Sequence, residues 1–239
     1  MAQRLRGRRI LLTGISRGIG LSIARRFLPE GAEIIGVSRD PERLARAQRE
    51  LEPLSPGRLT TLAVDLEQPG AEEPIARAVA ERWGALDILF NNAAVMLDPD
   101  GSNGLLAEPP GILERSLDIN LWAPFRLTRA LLGALERGRE PRVIHTSSGA
   151  GSFAAMEATD IASYRLSKWA LNGLTMLMAA ELKKKIAVNA FDPGWVKTDL
   201  GGPHAPGSPE ESAEGALALV TAPFAETGKF WKDGREIPY

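Results

Sequence analysis

The 239-residue sequence contains no cysteine, which excludes disulfides, a thiol nucleophile and any cysteine-ligated metal. Histidine is nearly as scarce: His145 and His204 cannot build a histidine cage, so no metal is expected. Neither sign of charge prevails, because 29 basic and 30 acidic side chains leave a net charge of −1. Such a surface has no electrostatic footprint for nucleic acid or an anionic membrane, and it favours a small-molecule substrate. Long apolar runs are missing as well. Residues 1–9 hold four arginines, and the apolar stretch that follows is only about five residues, too short for a signal or anchor segment. A cytoplasmic protein with no membrane association is the expectation. No internal repeat, low-complexity tract or linker interrupts the chain, so residues 1–239 are expected to form one domain that both binds its cofactor and carries catalysis.

What is present is an alternation of two patterns. Short, nearly continuous apolar runs fall at Arg9–Thr13, Glu33–Ser38, Leu59–Val64, Asp87–Asn91, Arg142–Ser147 and Ile186–Phe191, as in strands buried on both faces. Between them lie segments with helical spacing and helix-edge signals. Ile19–Leu28 stops before Pro29, and Pro41–Leu51 opens with Asp40 as cap and Pro41 at the first helical position. Parallel strands need crossovers of this length, and right-handed crossovers on both faces wind a sheet doubly. The expected fold is therefore α/β, a single-domain Rossmann-type doubly wound parallel sheet flanked by helices on both faces, with ligands at the carboxyl ends of the strands. The two stretches rich in proline and glycine, Asp98–Gly111 and Gly201–Pro209, each follow a strand end. They are candidates for substrate loops as well as for ordinary surface loops.

Directly after the first run comes Thr13-Gly14-Ile15-Ser16-Arg17-Gly18-Ile19-Gly20, leading into an amphipathic helix. Gly14 permits a tight turn, Gly18 lets backbone approach a pyrophosphate, Gly20 allows close helix packing, and the helix N-terminus stabilises negative charge. The spacing differs by one residue from the usual dinucleotide fingerprint and keeps its physics. This threonine-led glycine pattern, with the later motifs in matching order, resembles the short-chain dehydrogenase/reductase family over nearly the whole chain. The resemblance implies a nicotinamide cofactor held by Gly14, Ser16, Arg17, Gly18, Ile19 and Gly20. Asp65, in Val64-Asp65-Leu66, would contact adenine beside Leu66, and Asn92 and Ala93, in Asn91-Asn92-Ala93-Ala94, would line the adenosine ribose. The family's usual fourth residue there is glycine, where Ala94 adds a methyl.

Cofactor choice turns on Gly36-Val37-Ser38-Arg39-Asp40. Family members that prefer NAD place an acidic residue where Ser38 stands, to bind the ribose hydroxyls. Here Arg39 follows instead and Arg17 projects from the glycine loop, so two guanidinium groups could clamp a 2′-phosphate. NADP(H) is the expected cofactor. Asp40 is the competing element, able either to reach the ribose or to cap the helix that begins at Pro41.

Tyr164-Arg165-Leu166-Ser167-Lys168 sets a phenol and an ammonium at i and i+4 on one helix face. An unperturbed phenol ionises at about pH 10, and a neighbouring ammonium together with a positive nicotinamide ring would stabilise the phenolate and bring proton transfer closer to neutral pH. Tyr164 is thus the expected general acid in reduction, and the resemblance makes Tyr164 and Lys168 cofactor contacts too. In His145-Thr146-Ser147-Ser148-Gly149-Ala150-Gly151 the family pattern assigns Ser148 to the substrate carbonyl oxygen. Ser147 is its rival, because adjacent strand side chains point to opposite sides. The longer interval from Ser148 to Tyr164 points to a small insertion around Ala154–Asp160. Asn120 matches the family's active-site asparagine, which holds a water linking Lys168 to solvent; alone, it also reads as a helix bend or a core hydrogen bond. Asp192-Pro193-Gly194-Trp195-Val196-Lys197-Thr198-Asp199 resembles the family's nicotinamide turn, with Pro193 and Gly194 shaping it and the Val196 backbone and Thr198 hydroxyl meeting the carboxamide. His145 is assigned to strand packing and His204 to a loop surface.

Phe191–Gly202 and Thr227–Gly234 are most similar to the carbonyl reductase and C-factor branch of that family. This implies an aldehyde or ketone with an apolar body, met by Met96, Phe153, Met156, Trp195 and Leu200, each of which also reads as core. Ile161–Leu182 carries an apolar stripe through Leu166, Ala170, Leu174 and Leu177. That region pairs subunits in many relatives, so a homodimer or homotetramer is expected, although the stripe would equally cover the sheet of a monomer. Three rivals remain: an NAD-dependent alcohol or hydroxysteroid dehydrogenase, a 3-oxoacyl thioester reductase, and a noncatalytic dinucleotide-sensing regulator. The set Asn120, Ser148, Tyr164 and Lys168 argues against the last of these.

Overall fold

The structure is a computed structural model that describes residues 3–98, 104–183 and 185–239. Six strands follow the apolar runs to within one residue: β1 (Arg9–Thr13), β2 (Glu33–Ser38), β3 (Leu59–Ala63), β4 (Ile88–Asn91), β5 (Arg142–Thr146) and β6 (Ala187–Phe191). Two more close the sheet, β7 (Phe230–Lys232), parallel to β6, and β8 (Arg235–Ile237), antiparallel to β7. The order is β3-β2-β1-β4-β5-β6-β7-β8, so the winding direction reverses between β1 and β4 and opens a crevice at their carboxyl ends.

Successive side chains of β1 divide between two cores, as the pleat requires. Ile10 and Leu12 join Ile23, Phe27, Phe90 and Leu217 on one face, while Leu11 joins Val79, Leu89, Leu131 and Val143 on the other. The first layer is supplied by α1 (Gly18–Phe27) and α7 (Pro209–Val220), and the second by α3 (Glu72–Arg82), α5 (Ala123–Glu136) and α6 (Ala162–Glu181). Phe90 holds the first core together through edge-to-face contacts with Phe27 and Phe191, at 6.4 and 6.1 Å between centroids. Burial on both faces fails toward the two edges: at β3 Thr60, Thr61 and Leu62 are half-buried and Ala63 is exposed, and at β8 Arg235 and Glu236 are exposed.

Local chemistry sets the helix starts. At α2 (Pro41–Leu51), Asp40 Oδ1 accepts from the Glu42 and Arg43 amides, each at 3.0 Å, so its carboxylate serves the cap. At α1, by contrast, Arg17 stands at the N-cap with no side-chain cap and no acidic residue in the first turn. The orphan N–H groups and positive end of α1 therefore face the crevice. The helix α4 (Ile112–Leu117) runs into α5 through a π-turn at Asp118–Trp122, and Asn120 lies within that turn.

Candidate functional site

The carboxyl ends of the strands enclose a cleft of about 980 Å³ whose wall includes Gly18, Ser38, Ala93, Ser148, Tyr164 and Trp195. Its floor is glycine by necessity. A Cβ on Gly20 would lie 2.2 Å from the Gly14 carbonyl oxygen and 2.7 Å from the Asn92 amide nitrogen. Gly14 and Gly18 have φ of +74° and +55°, a region open to glycine. Ser16 and Ser38 share a hydrogen bond of 2.7 Å between their hydroxyls, tying the glycine loop to the end of β2. Thr13, which the sequence reading left without a role, locks β1 to β4: its hydroxyl accepts from the Asn92 and Ala93 amides at 3.0 and 2.9 Å. The Asn92 side chain donates to the Thr13 carbonyl at 3.0 Å. It thus lies beneath the glycine loop, while Ala93, Ala94, Asp65 and Leu66 line the cleft alongside it.

Three arginines line the cleft beside the end of β2, one more than the sequence suggested. Arg17 forms an ion pair with Asp199, and Arg43, on the first turn of α2, lies 3.6 Å from the same carboxylate. Arg39 is 3.9 Å from Glu67, and its side chain is 59% exposed. The signal for Arg43 was its place in the first turn of the helix that Asp40 caps, directly after β2.

Tyr164 and Lys168 lie on α6 and are both buried. Lys168 Nζ donates to the Thr146 carbonyl at 2.7 Å and sits 5.6 Å from the centroid of the Tyr164 ring. Burial pushes the lysine down to about 7. The phenol departs from expectation and is pushed up to about 12: burial raises it most, a hydrogen bond with Ser148 pulls it down, and the carboxylates of Asp192 and Asp98 raise it. Desolvation thus dominates the phenol. Ser148, not Ser147, faces the phenol. Ser147 is turned inward, its hydroxyl 3.4 Å from the Lys168 carbonyl. Ser148 also caps the short turn Gly149–Gly151 by accepting from the Ala150 amide at 3.1 Å. That turn needs Gly151, where a Cβ would lie 2.6 Å from the Lys168 carbonyl carbon.

Asn120 is buried, accepting from the Val95 amide at 2.9 Å and donating to the Val95 carbonyl at 2.8 Å and to Ser167 Oγ at 2.9 Å. Its amide joins the loop after β4 to α6, so its local reading as a core hydrogen bond is realised, and the helix irregularity it sits in is a π-turn. His145 packs inside, bonded to Thr175 at 2.9 Å and lowered to about 3 by burial, whereas His204 is exposed.

The segment after β6 folds back on itself. Asp192 Oδ1 accepts from the Gly194 amide at 2.9 Å, and Lys232, from β7, comes within 3.4 Å of the other oxygen. Thr198 Oγ1 accepts from the Gly201 amide at 3.0 Å, and Val196 pairs with Gly207. A Cβ on Gly18 would meet the Thr198 methyl at 3.1 Å, so this segment overlies the glycine loop. Of Gly201–Pro209, Gly201 lines the cleft and Gly207 pairs with Val196. Of Asp98–Gly111, residues 99–103 lie outside the described residues. Among the apolar substrate candidates, Met96, Trp195 and Leu200 line the cleft, Phe153 lines a separate groove, and Met156 lines neither. The Ala154–Asp160 stretch ends at Asp160, which lines the cleft and holds Arg165 at 2.6 Å.

Among the described residues no helix is long and apolar enough to cross a membrane, and no group of three acidic or histidine side chains could hold a metal ion. Comparison with known proteins agrees with the geometry. The short chain dehydrogenase family model matches residues 8–207. The 3-oxoacyl-acyl-carrier-protein reductase of Vibrio cholerae is 30% identical over 197 residues, covering 82% of this chain and 76% of that protein. The C-signal protein of Myxococcus xanthus is 34% identical over 163 residues, 65% of this chain and 94% of its own. The NADPH-bound carbonyl reductase from chicken fatty liver superposes with a TM-score of 0.87 at 28% identity, covering 98% of this chain and 95% of that one. Fold, motif order and relatives converge: this chain belongs to the short-chain dehydrogenase family and is an oxidoreductase.

Proposed function

We propose that the protein is an NADP(H)-dependent reductase of aldehydes or ketones, working as a single dinucleotide-binding and catalytic domain. The cleft fits a dinucleotide in two respects. Gly14, Gly18 and Gly20 leave backbone bare where a Cβ would intrude, and the uncapped start of α1 faces a pyrophosphate. Arg17, Arg39 and Arg43 stand where a 2′-phosphate would bind, while Asp40 is engaged by the start of its helix through Oδ1 and by Arg43 through Oδ2, at 3.2 Å. Val196 and Thr198 would hold the carboxamide. When bound, a reduced nicotinamide supplies hydride to the carbonyl carbon.

The observation that carries the proposal is the meeting of Ser148, Tyr164 and Lys168 at one end of that cleft. Ser148 would hydrogen-bond the carbonyl oxygen. Tyr164, kept protonated well above neutral pH by burial, would donate its proton to that oxygen as negative charge develops there. Lys168, lowered to about 7, is poised to exchange protons near neutral pH, and Asn120 braces the loop and helix around it. Met96, Trp195 and Leu200 would meet an apolar substrate body. A second copy of the chain would bury the apolar groove between α5 and α6, where Trp122, Trp169, Met176 and Leu177 are exposed.

Following the absorbance of NADPH and NADH separately, with aromatic aldehydes, diketones and quinones, tests the proposal. NADPH should be preferred, and Tyr164→Phe should lower the rate by about 10²–10⁴-fold. Equal use of NADH would remove the arginine argument, and an active Tyr164→Phe protein would remove the proton donor. The similarity to the Vibrio cholerae reductase favours a second reading, a 3-oxoacyl thioester substrate, which including such a thioester in the panel would decide.

A further inference from the structure

The helix that carries Tyr164 and Lys168 has no cap of its own. Ile161 precedes it in the left-handed region, at φ 45°, and offers no side-chain oxygen to the first turn. The orphan amides of that turn are satisfied from far away in the chain. The Ser163 amide donates to Asp98 Oδ1 at 2.9 Å and to Glu108 Oε1 at 3.1 Å, the Ser163 hydroxyl donates to Glu108, and the Tyr164 amide itself donates to Asp98 Oδ1 at 3.4 Å. Asp98 and Glu108 meet at the same Ser163 amide, and burial together with the neighbouring Glu108 carboxyl lifts Asp98 above the usual carboxylate range.

Asp98 is therefore both a backbone anchor for Tyr164 and a charge that acts on its phenol. The charged groups around that phenol are Asp98, backed by Glu108, from the loop after β4; Asp192, backed by Lys232, from the end of β6 and from β7; and Lys168 from α6 itself. We infer that Asp98 is a positioning residue for Tyr164: it fixes the first turn of α6 through the Ser163 and Tyr164 amides and sets a carboxylate against the tyrosine's own backbone. Its charge thus keeps Tyr164 in its proton-donating form to higher pH. The inference rests on Tyr164 being the proton donor. At the alkaline pH where a phenol titrates, carboxyl groups have lost their protons, so the charge is present when it matters.

The sequence provides a clean measurement, because Tyr164 and Tyr239 are its only tyrosines. In a Tyr239→Phe background, tyrosinate absorbance reports the ionisation of Tyr164 directly and without turnover. Asp98→Asn keeps an oxygen for both amides and removes the charge; Asp98→Ala removes both. In the full-length chain, Asp98→Asn should lower the tyrosinate midpoint by about half a pH unit or more and move the alkaline limb of kcat/KM for reduction the same way, with kcat retained. Asp98→Ala should show the same shift and in addition lose kcat. An Asp98→Asn protein whose midpoint and limb match the parent overturns the electrostatic role, and an Asp98→Ala protein with the kcat of Asp98→Asn overturns the anchoring role. If instead Tyr164→Phe still reduces substrate, the proton-donor assignment fails, while the tyrosinate midpoint still decides whether Asp98 acts on the phenol.

Discussion

Adding one methyl group at Gly20 should damage both stability and cofactor binding, and the structure gives the size of the effect. The new Cβ would sit 2.2 Å from the Gly14 carbonyl oxygen and 2.7 Å from the Asn92 amide nitrogen. Relief requires about 1 Å of movement, and neither neighbour is a free side-chain end: one is backbone in the tight turn, the other is fixed on the Thr13 carbonyl. Overpacking of this kind costs about 1–3 kcal/mol, which for a chain of this length lowers Tm by about 2–4 °C per kcal/mol. The same shift moves the start of α1 away from Gly14, so affinity for the dinucleotide should fall by about tenfold or more, equivalent to about 1.4 kcal/mol. Gly133→Ala is the matched control. It adds the same methyl inside α5, where the closest atom is the flexible end of Arg137 at 3.6 Å, and it should stabilise by about 0.5–1 kcal/mol through helix propensity. Thermal melts followed by circular dichroism, with calorimetric titration of NADP, measure both. A Gly20→Ala protein that melts and binds like the parent would refute the close-packing argument.

Removing the buried cation by Lys168→Met should abolish turnover and yet raise stability in a pH-dependent way. The lysine is lowered to about 7 against 10.5 in the unfolded chain; between those values the unfolded state binds the extra proton, so the penalty is full below about pH 7 and fades as pH rises toward 10.5. Urea denaturation at pH 6.5 and pH 9.5 should therefore find a larger gain at the lower pH, and a gain of equal size at both would contradict the assignment. Arg43→Ala should raise KM for NADPH by about tenfold, as expected for a lost charge-assisted contact, and leave KM for NADH unchanged; steady-state kinetics with each cofactor would show otherwise if Arg43 serves only α2. Trp195 is 61% exposed and anchored by Nε1 to the Gly201 carbonyl at 2.7 Å. Trp195→Ala should raise KM for bulky apolar carbonyl compounds severalfold more than for small aldehydes.

How much of this was legible depended on how local the cause is. β1 to β6 were readable because strands buried on both faces are written as unbroken apolar runs, and the α2 cap because Asp40 and Pro41 act within one turn. β7 and β8 are three residues each, too short for periodicity, yet Asp233-Gly234 between them, at φ +49° and +74°, is the two-residue hairpin signal that would have found them. The glycine floor and the Tyr164–Lys168 spacing were visible. The direction of the phenol's shift was not, since it depends on how deeply α6 is buried. Nor were the roles of Thr13, Asn92, Asp98 and Glu108, whose partners lie 55 to 80 residues away and are set by strand order rather than by spacing.

Asp199 gives the cleft a sensitivity of a different kind. Through Arg17 and Arg43 it ties the segment bearing Val196 and Thr198 to the opposite wall, and every member of that tie is largely exposed. Ions in water lose hold of one another as the Debye length shrinks from about 10 Å at 0.1 M salt to about 3 Å at 1 M. Crystals grown from concentrated ammonium sulfate would then sample the segment released, with sulfate competing for the arginines, and crystals grown from polyethylene glycol at low salt would sample it drawn across. The precipitant would thus select which form of the cleft is captured.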